Sequence, residues 1–293
     1  MSAGKRTLQA KFVGLLTFRS EGPVHVGGSR EGNVLYGLKL PDGRLLIPSS
    51  AWKGAFRALA EKLAPTLPTI GLERLAVEKV MPAQSPAEAR AFVTNLVDEF
   101  RAALEKRASM LFNPVDVEEK LLSLGYNADP ALIVDLRWAL VQYLSLYCPV
   151  GRLFGNWARA GSLHFFDTIL ASGTQRRPSV GISRETGTAQ RDVLYYVETS
   201  EAKLRVPLVL TGVVEEKGST PAKLLASLLE AIEAVGLSIG GRKSVGLGLL
   251  SLEETRFHAF ELGTGPDANG ALLVNPLNAP PMILREFVTW LRT

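Results

Sequence analysis

The chain has 293 residues, 46% of them hydrophobic, enough to bury a substantial core in one large domain or two smaller ones. With 33 Lys and Arg against 29 Asp and Glu, the formal net charge is only +4, which excludes a histone-like polycation. A pI near 9.2 still suits an anionic partner.

In chain order, residues 7–18 alternate loosely and then run apolar, which predicts a central strand. Turns are signalled at Glu21-Gly22-Pro23 and Pro41-Asp42-Gly43. A helix is predicted over about 50–63, capped by Ser49-Ser50. Trp52, Ala55, Phe56, Leu59 and Leu63 form its apolar stripe, with Lys53, Arg57 and Glu61 on another face. A helix start attracts anions, and Lys53 and Arg57 in its first two turns add to that pull. Residues 65–147 are punctuated by prolines and read as a helical insertion, clearest at Glu88–Ala108 and Ala131–Tyr147. Cys148 to Gly155 reads as a turn-rich segment carrying Arg152. Ser162 to Thr168 reads as a strand in which His164 is packed.

Residues 172–200 read as an extended hairpin or finger, basic at its base (Gln175-Arg176-Arg177) and aromatic on its return (Tyr195-Tyr196). Leu204 to Val214 is a strong strand. Residues 221–235 form a helix with Thr220 as its cap and Pro221 at its first position. A strand is predicted at 245–254 and a short closing helix over Met282–Leu291. Without the insertion and the finger, the order is strand, helix, strand, strand, helix, strand. That is the split βαβ or ferredoxin-like order, an α+β fold.

Between the second helix and the last strand lies the most informative stretch, Gly240-Gly241-Arg242-Lys243-Ser244-Val245-Gly246-Leu247-Gly248. Glycines let backbone N–H groups turn toward an anion, and Arg242, Lys243 and Ser244 add charge and a donor. It is not a nucleotide P-loop. The spacing before Lys-Ser fails, and helix–loop–strand reverses the required order. A tight helix-to-strand turn whose glycines only permit positive φ remains the competing reading of this stretch.

The single cysteine, Cys148, excludes an intrachain disulfide and a cysteine-rich zinc site and suggests a reducing compartment. His25, His164 and His258 lack metal-ligand spacing. No apolar run of about twenty residues indicates a membrane span. The opening Met-Ser-Ala-Gly-Lys-Arg lacks the apolar core of a secretory signal. These features predict a cytoplasmic protein with no membrane partner, no metal site and no cofactor.

Four segments fall, in order, into one family pattern. They are His25-Val26-Gly27-Gly28; Ile47-Pro48-Ser49-Ser50-Ala51-Trp52-Lys53-Gly54; Cys148-Pro149 with Arg152-Leu153-Phe154-Gly155; and the closing glycine loop. Gly181-Ile182-Ser183-Arg184 with Thr186-Gly187-Thr188-Ala189 fits the base of the finger. The chain resembles the RAMP superfamily of CRISPR-associated proteins, in particular the repeating backbone subunits of type III (Csm/Cmr-like) effector complexes. The resemblance implies a ferredoxin-like (RRM-like) palm from residues 1–64 and 148–293, a thumb hairpin at about 172–202 and a helical lid at 65–147. It implies CRISPR RNA, target RNA, other Csm/Cmr-like subunits and copies of the same chain as partners in antiviral defence.

The same resemblance implies a set of RNA-binding residues: Gly27, Gly28 and Arg30 in the first loop, Ser50, Lys53 and Arg57 on the first helix, and Arg152. Arg184 at the thumb base and Gly241, Arg242, Lys243 and Ser244 of the glycine loop complete it. Spacers vary, so the contacts must be to phosphate and 2′-OH groups rather than to base edges. Family members that cut target RNA resemble one another in an aspartate after the first Gly-Gly. Here the loop reads Gly28-Ser29-Arg30-Glu31-Gly32-Asn33-Val34, so Glu31 is the only acid and the weak catalytic candidate. Rival readings stay open: a RAMP endoribonuclease acting on precursor CRISPR RNA or target RNA, a nucleotide-binding enzyme, and a non-catalytic capping subunit.

Overall fold

The structure is a computed structural model and describes residues 10–64, 148–156, 160–171, 173–262 and 270–293. The chain divides into two compact units, Met1–Leu59 with Leu163–Thr293, and Ala60–Ser162. The helical lid expected over 65–147, with its two helices, lies outside the described residues.

The strands in chain order are β1 (Ala10–Ser20), β2 (Gly27–Glu31), β3 (Val34–Gly37), β4 (Leu46–Ile47), β5 (Leu163–Phe165), β6 (Thr168–Ile169), β7 (Thr174–Ile182), β8 (Ala189–Ser200), β9 (Arg205–Val214), β10 (Leu237–Ser238), β11 (Leu249–Glu261) and β12 (Pro281–Met282). The helices are α1 (Ser49–Leu63), α2 (Pro149–Phe154), α3 (Thr220–Val235), α4 (Gly270–Val274) and α5 (Leu284–Arg292). α1 begins in the first unit and runs past Leu59; α2 belongs to the second.

The main sheet runs β10-β11-β1-β9-β5, with β12 beside β11. Each neighbouring pair is antiparallel, and β1 is central, between β11 and β9. Stripped to its βαββαβ elements, the sheet places the last strand beside the first, then the third, then the second. That is the ferredoxin-like order expected from the sequence. Alternation sets the core. Ala10, Phe12, Leu16 and Phe18 of β1 are buried while Lys11, Val13, Leu15 and Thr17 are half-buried on the other side. β9 repeats the pattern with Val206, Leu208, Leu210 and Val214 inward.

Helices cover the buried face. Trp52 of α1 packs on Phe18, with ring centroids 5.5 Å apart, and its indole N–H donates to Thr168 Oγ1 (3.1 Å). α3 buries Leu224, Leu225, Leu228, Leu229 and Ile232. In α5, Phe287 stacks flat on Phe257 at 4.1 Å and meets Phe12 at 5.0 Å. This aromatic cluster joins both ends of the first unit's sequence in one core.

Several local expectations need correction. α1 starts at Ser49 behind Pro48. It is capped by Asp167, whose Oδ1 accepts from Ser49 N–H (2.6 Å), rather than by the serines themselves. The N-cap position of α3 is Ser219, one residue before Thr220, and its hydroxyl donates to the Glu216 carbonyl instead of capping the helix. The segment after Cys148 is a short helix, α2, because Pro149 opens it and Cys148 Sγ accepts from Gly151 N–H. The strand read over Ser162–Thr168 breaks after Phe165 and resumes as β6, and His164 is exposed. The last strand begins at Leu249, not at 245, because Lys243–Val245 form a 3₁₀ turn.

A second sheet, β2-β3-β8-β7, carries the long hairpin β7–β8 predicted as the finger. Glu198 ties this sheet to the chain leaving β1. The residue is 3% exposed, and its carboxylate accepts from Gly37 N–H (3.0 Å) and Lys39 Nζ (2.6 Å). Its carbonyl accepts from His25 Nδ1–H (2.7 Å). Next to it, Val24 N–H donates to Ser200 Oγ, and Ser200 N–H to the Val24 carbonyl, both at 2.9 Å. Burial pushes the Glu198 carboxyl up, but the hydrogen bonds from Lys39 and Gly37 and the Lys39 charge outweigh it. The net result is a carboxyl held below its ordinary value.

Two stability predictions follow from this packing. Phe287→Ala empties the centre of the aromatic cluster and should lower unfolding free energy by about 3–5 kcal/mol in denaturant titrations. Because the Glu198 pKa is depressed on folding, its contribution is fully present above the ordinary carboxyl range and is lost as pH falls through the folded value. Glu198→Gln should therefore cost about 1–3 kcal/mol at pH 7. Its deficit relative to the parent should shrink as denaturation is repeated in progressively more acid buffers.

Candidate nucleic-acid interface

The glycine loop is fastened to the chain that enters β2. Gly241 N–H donates to the His25 carbonyl and Gly248 N–H to the Pro23 carbonyl, each at 2.9 Å. Gly240 and Gly248 take φ of +78° and +77°. A Cβ on the first would lie 2.1 Å from the His25 oxygen, and on the second 1.9 Å from the Ile239 oxygen. These two glycines are required by backbone packing, whatever ligand the loop takes. The 3₁₀ turn also engages Val245 N–H with the Arg242 carbonyl and Gly246 N–H with that of Lys243. These four amides are occupied, and the side chains of Lys243 and Ser244 are exposed on the turn.

Arg242 sits in the left-handed region at φ 57° without being a glycine. That conformation costs roughly 1–2 kcal/mol. Its side chain is held across to the hairpin: Nη1 donates to Tyr195 OH (2.6 Å), and the guanidinium lies 4.5 Å from the Tyr195 ring centroid. A cation over an aromatic face is favourable by about 0.5–2 kcal/mol. The loop near the end of the chain is thus linked to β8 by a side chain and to the start of β2 by its backbone.

Strand register shows what shares that side of the second sheet. Arg30 pairs with Leu35, Leu35 with Val197, and Val197 with Arg177, so these four side chains form one cross-strand row. Arg30 and Arg177 stand at opposite ends of it, about 14 Å apart at three strand spacings. Tyr195 is two residues from Val197 and so lies on the same face, about 7 Å further along the strand. Gly27 and Gly28 open β2 directly after His25-Val26. Arg30, Arg177 and Lys243 are exposed and have no carboxylate partner among the described residues. By contrast Lys39, Arg205, Lys217 and Arg292 are each neutralised by a glutamate.

The remaining candidates occupy other places. Ser50, Lys53 and Arg57 stand on α1; Ser50 and Lys53 are exposed, and Arg57 is half-buried with a partner of its own. Leu38 N–H donates to Val26 (2.8 Å) and Leu46 N–H to Leu38 (2.9 Å). The strand leading into α1 therefore runs two strand spacings, about 10 Å, from the loop-bearing segment. Asp167 already serves the first amide of α1, so a phosphate there would find an anion in place. Arg184, expected at the base of the finger, lies in the turn at its tip, where Ser183 N–H donates to the Thr188 carbonyl. Arg152 is on α2 in the second unit.

Glu31 ends β2, exposed, opposite Val34. Among the described residues no group of three or more His, Cys, Asp or Glu side chains is placed to hold a metal ion. His25 is 6% exposed, with Nδ1 engaged by Glu198 and its carbonyl by Gly241, so its place is structural. Sequence reasoning did not single out Tyr195, Arg177, Asp167 or Glu198. The basic start and aromatic return of the finger were the available signal for the first two. Nothing in the sequence announces the other two.

A model of the RAMP superfamily matches residues 17–251. That stretch takes in β2, the start of α1, the hairpin and the whole glycine loop. No curated protein matches the chain. The family match covers most of the sequence and contains every element assembled above: this chain belongs to the RAMP superfamily of CRISPR-associated proteins.

Proposed function

We propose that this chain is a CRISPR RNA-binding backbone subunit of a type III antiviral effector complex. It grips the RNA through its phosphates, without reading base sequence. Membership in the RAMP superfamily supports CRISPR-related RNA binding; the type III backbone role is the finer reading. One observation carries it. Glycine loop, the segment entering the first Gly-Gly strand, and the hairpin are joined by hydrogen bonds, and they carry Arg30, Arg177, Arg242 and Lys243, none with a carboxylate partner among the described residues. Exposed cations on a fixed frame attract phosphates of any sequence, and that is what a variable spacer demands. CRISPR RNA, target RNA, other Csm/Cmr-like subunits and copies of this chain are the partners in this reading, and 65–147 is the lid. Exposed Lys53 on α1 extends the contact surface, while the helix start beside Ser50 already holds the Asp167 carboxylate.

Target cleavage by this chain has less support. Glu31 is an exposed acid with no positioned partner among the described residues, and His25 is committed to Glu198. Glu31→Ala should leave target cleavage by an assembled complex unchanged, as read by the rate of product formation on labelled RNA. Lys243→Ala, Arg177→Ala and Lys53→Ala should each weaken single-stranded RNA binding about three- to tenfold near 0.1 M salt, and equally across unrelated sequences. Each should also flatten the salt slope by about 0.7. Anisotropy titrations over a salt series check this; unchanged affinity and slope in all three variants defeats the reading.

A further inference from the structure

The link between Arg242 and Tyr195 has a role beyond a list of cations. Arg242 is the loop cation whose side chain is pinned: its Nη1 donates to Tyr195 OH at 2.6 Å and its guanidinium lies on the Tyr195 ring at 4.5 Å. Lys243, beside it, is exposed and has no partner among the described residues. Pinning through one nitrogen leaves the rest of the guanidinium N–H fork without an acceptor among the described residues, and that fork suits two oxygens of one phosphate. Tyr195 is on β8, so the residue that fixes the fork belongs to the hairpin and not to the loop. It shares its face with Arg177, whose cation is also exposed.

We propose that Tyr195 is a positioning residue for RNA: it holds Arg242 in a phosphate-ready orientation and makes glycine loop and hairpin close on the RNA backbone as one unit. This rests on the RNA-binding reading above. A long, flexible arginine left free loses side-chain entropy when it meets a phosphate; one already stacked on a ring loses less. Tyr195 touches the arginine and not the phosphate. Its removal must therefore act through Arg242 and must vanish when Arg242 is gone.

The experiment is a double-mutant cycle on the full chain. A fluorescein-labelled mixed-sequence single-stranded RNA is titrated at several salt concentrations. Arg242→Ala should weaken binding about tenfold near 0.1 M salt and flatten the salt slope by about 0.7. Tyr195→Leu should reproduce most of both effects, and the double variant should be no weaker than Arg242→Ala alone. Tyr195→Phe keeps the ring and the packing and loses the hydroxyl, so it should fall between parent and Tyr195→Leu. It also keeps the test valid if the leucine variant fails to fold, which circular dichroism would reveal.

Wild-type binding by both Tyr195 variants overturns the inference, as do losses that multiply in the double variant. A weaker affinity with an unchanged salt slope also overturns it, because Tyr195 would then be stacking on a base. If Arg242→Ala and Lys243→Ala themselves bind as the parent does, it is the underlying RNA-binding reading that fails.

Discussion

Two backbone hydrogen bonds, from Gly241 to His25 and from Gly248 to Pro23, hold the proposed interface together. They join a loop near the end of the chain to the segment that follows its first strand. Neither can form unless the loop backbone approaches to within contact of the facing carbonyls. Gly240 meets that constraint at the His25 oxygen, and Gly248 meets a like one at the Ile239 oxygen across the neck of the loop, both by lacking a Cβ and by taking positive φ. The glycine pattern that looks like phosphate chemistry is therefore first a packing solution, and the cations ride on it. A turn that reverses the chain and the proposed RNA-binding loop are here the same object. The packing fixes where Arg242 and Lys243 stand.

Charge is arranged around that constraint in a consistent way. Glu198, on the strand that carries Tyr195, is buried and matched by Lys39 and the Gly37 amide. Breaking such a pair is costly, yet the pair itself adds little net stability over an apolar substitute. Its value here is geometric and electrostatic. The Glu198 carbonyl orients the His25 segment, and strand alternation turns its carboxylate to the face opposite Tyr195 and Arg177. Elsewhere on the first unit, Arg205 and Lys217 face glutamates, so their fields cancel locally. Arg30, Arg177 and Lys243 are left to act outward.

Much of the palm was legible in the sequence because its elements are long and strongly periodic. The alternation in β1 and β9, the stripe of α1 and the leucine-rich face of α3 each define one face unambiguously. The errors cluster where the cause is non-local. Asp167 caps α1 from a distant turn, and no local pattern in Pro48-Ser49-Ser50 could name it. The start of β11 was misplaced because Val245, apolar but 66% exposed, belongs to a 3₁₀ turn. Arg184 was assigned to the wrong end of the hairpin because the sequence gives the residues of a turn without saying which end of the finger it closes. For the site, composition found the glycine loop but not its partner. A tyrosine becomes part of a cation site only once register places it opposite, and register depends on the whole sheet.

In the RNA-binding reading, the pinned arginine and the exposed lysine next to it divide one task. A phosphate approaching the loop first meets the mobile charge of Lys243, which acts over about a Debye length and asks for no orientation. It then meets Arg242, whose planar fork is already set against Tyr195 and so selects geometry. Neither contact depends on base identity, because both are made to the backbone. A sequence-blind grip does not have to be loose. It can be stereospecific for the sugar-phosphate chain, provided that the arginine is held by the protein before the RNA arrives. A grip built only from free lysines would attract the same RNA but could not fix its path across the sheet. The strained φ of Arg242 makes sense in these terms: the backbone distortion aims the side chain at the hairpin, and the contact with Tyr195 offsets the strain.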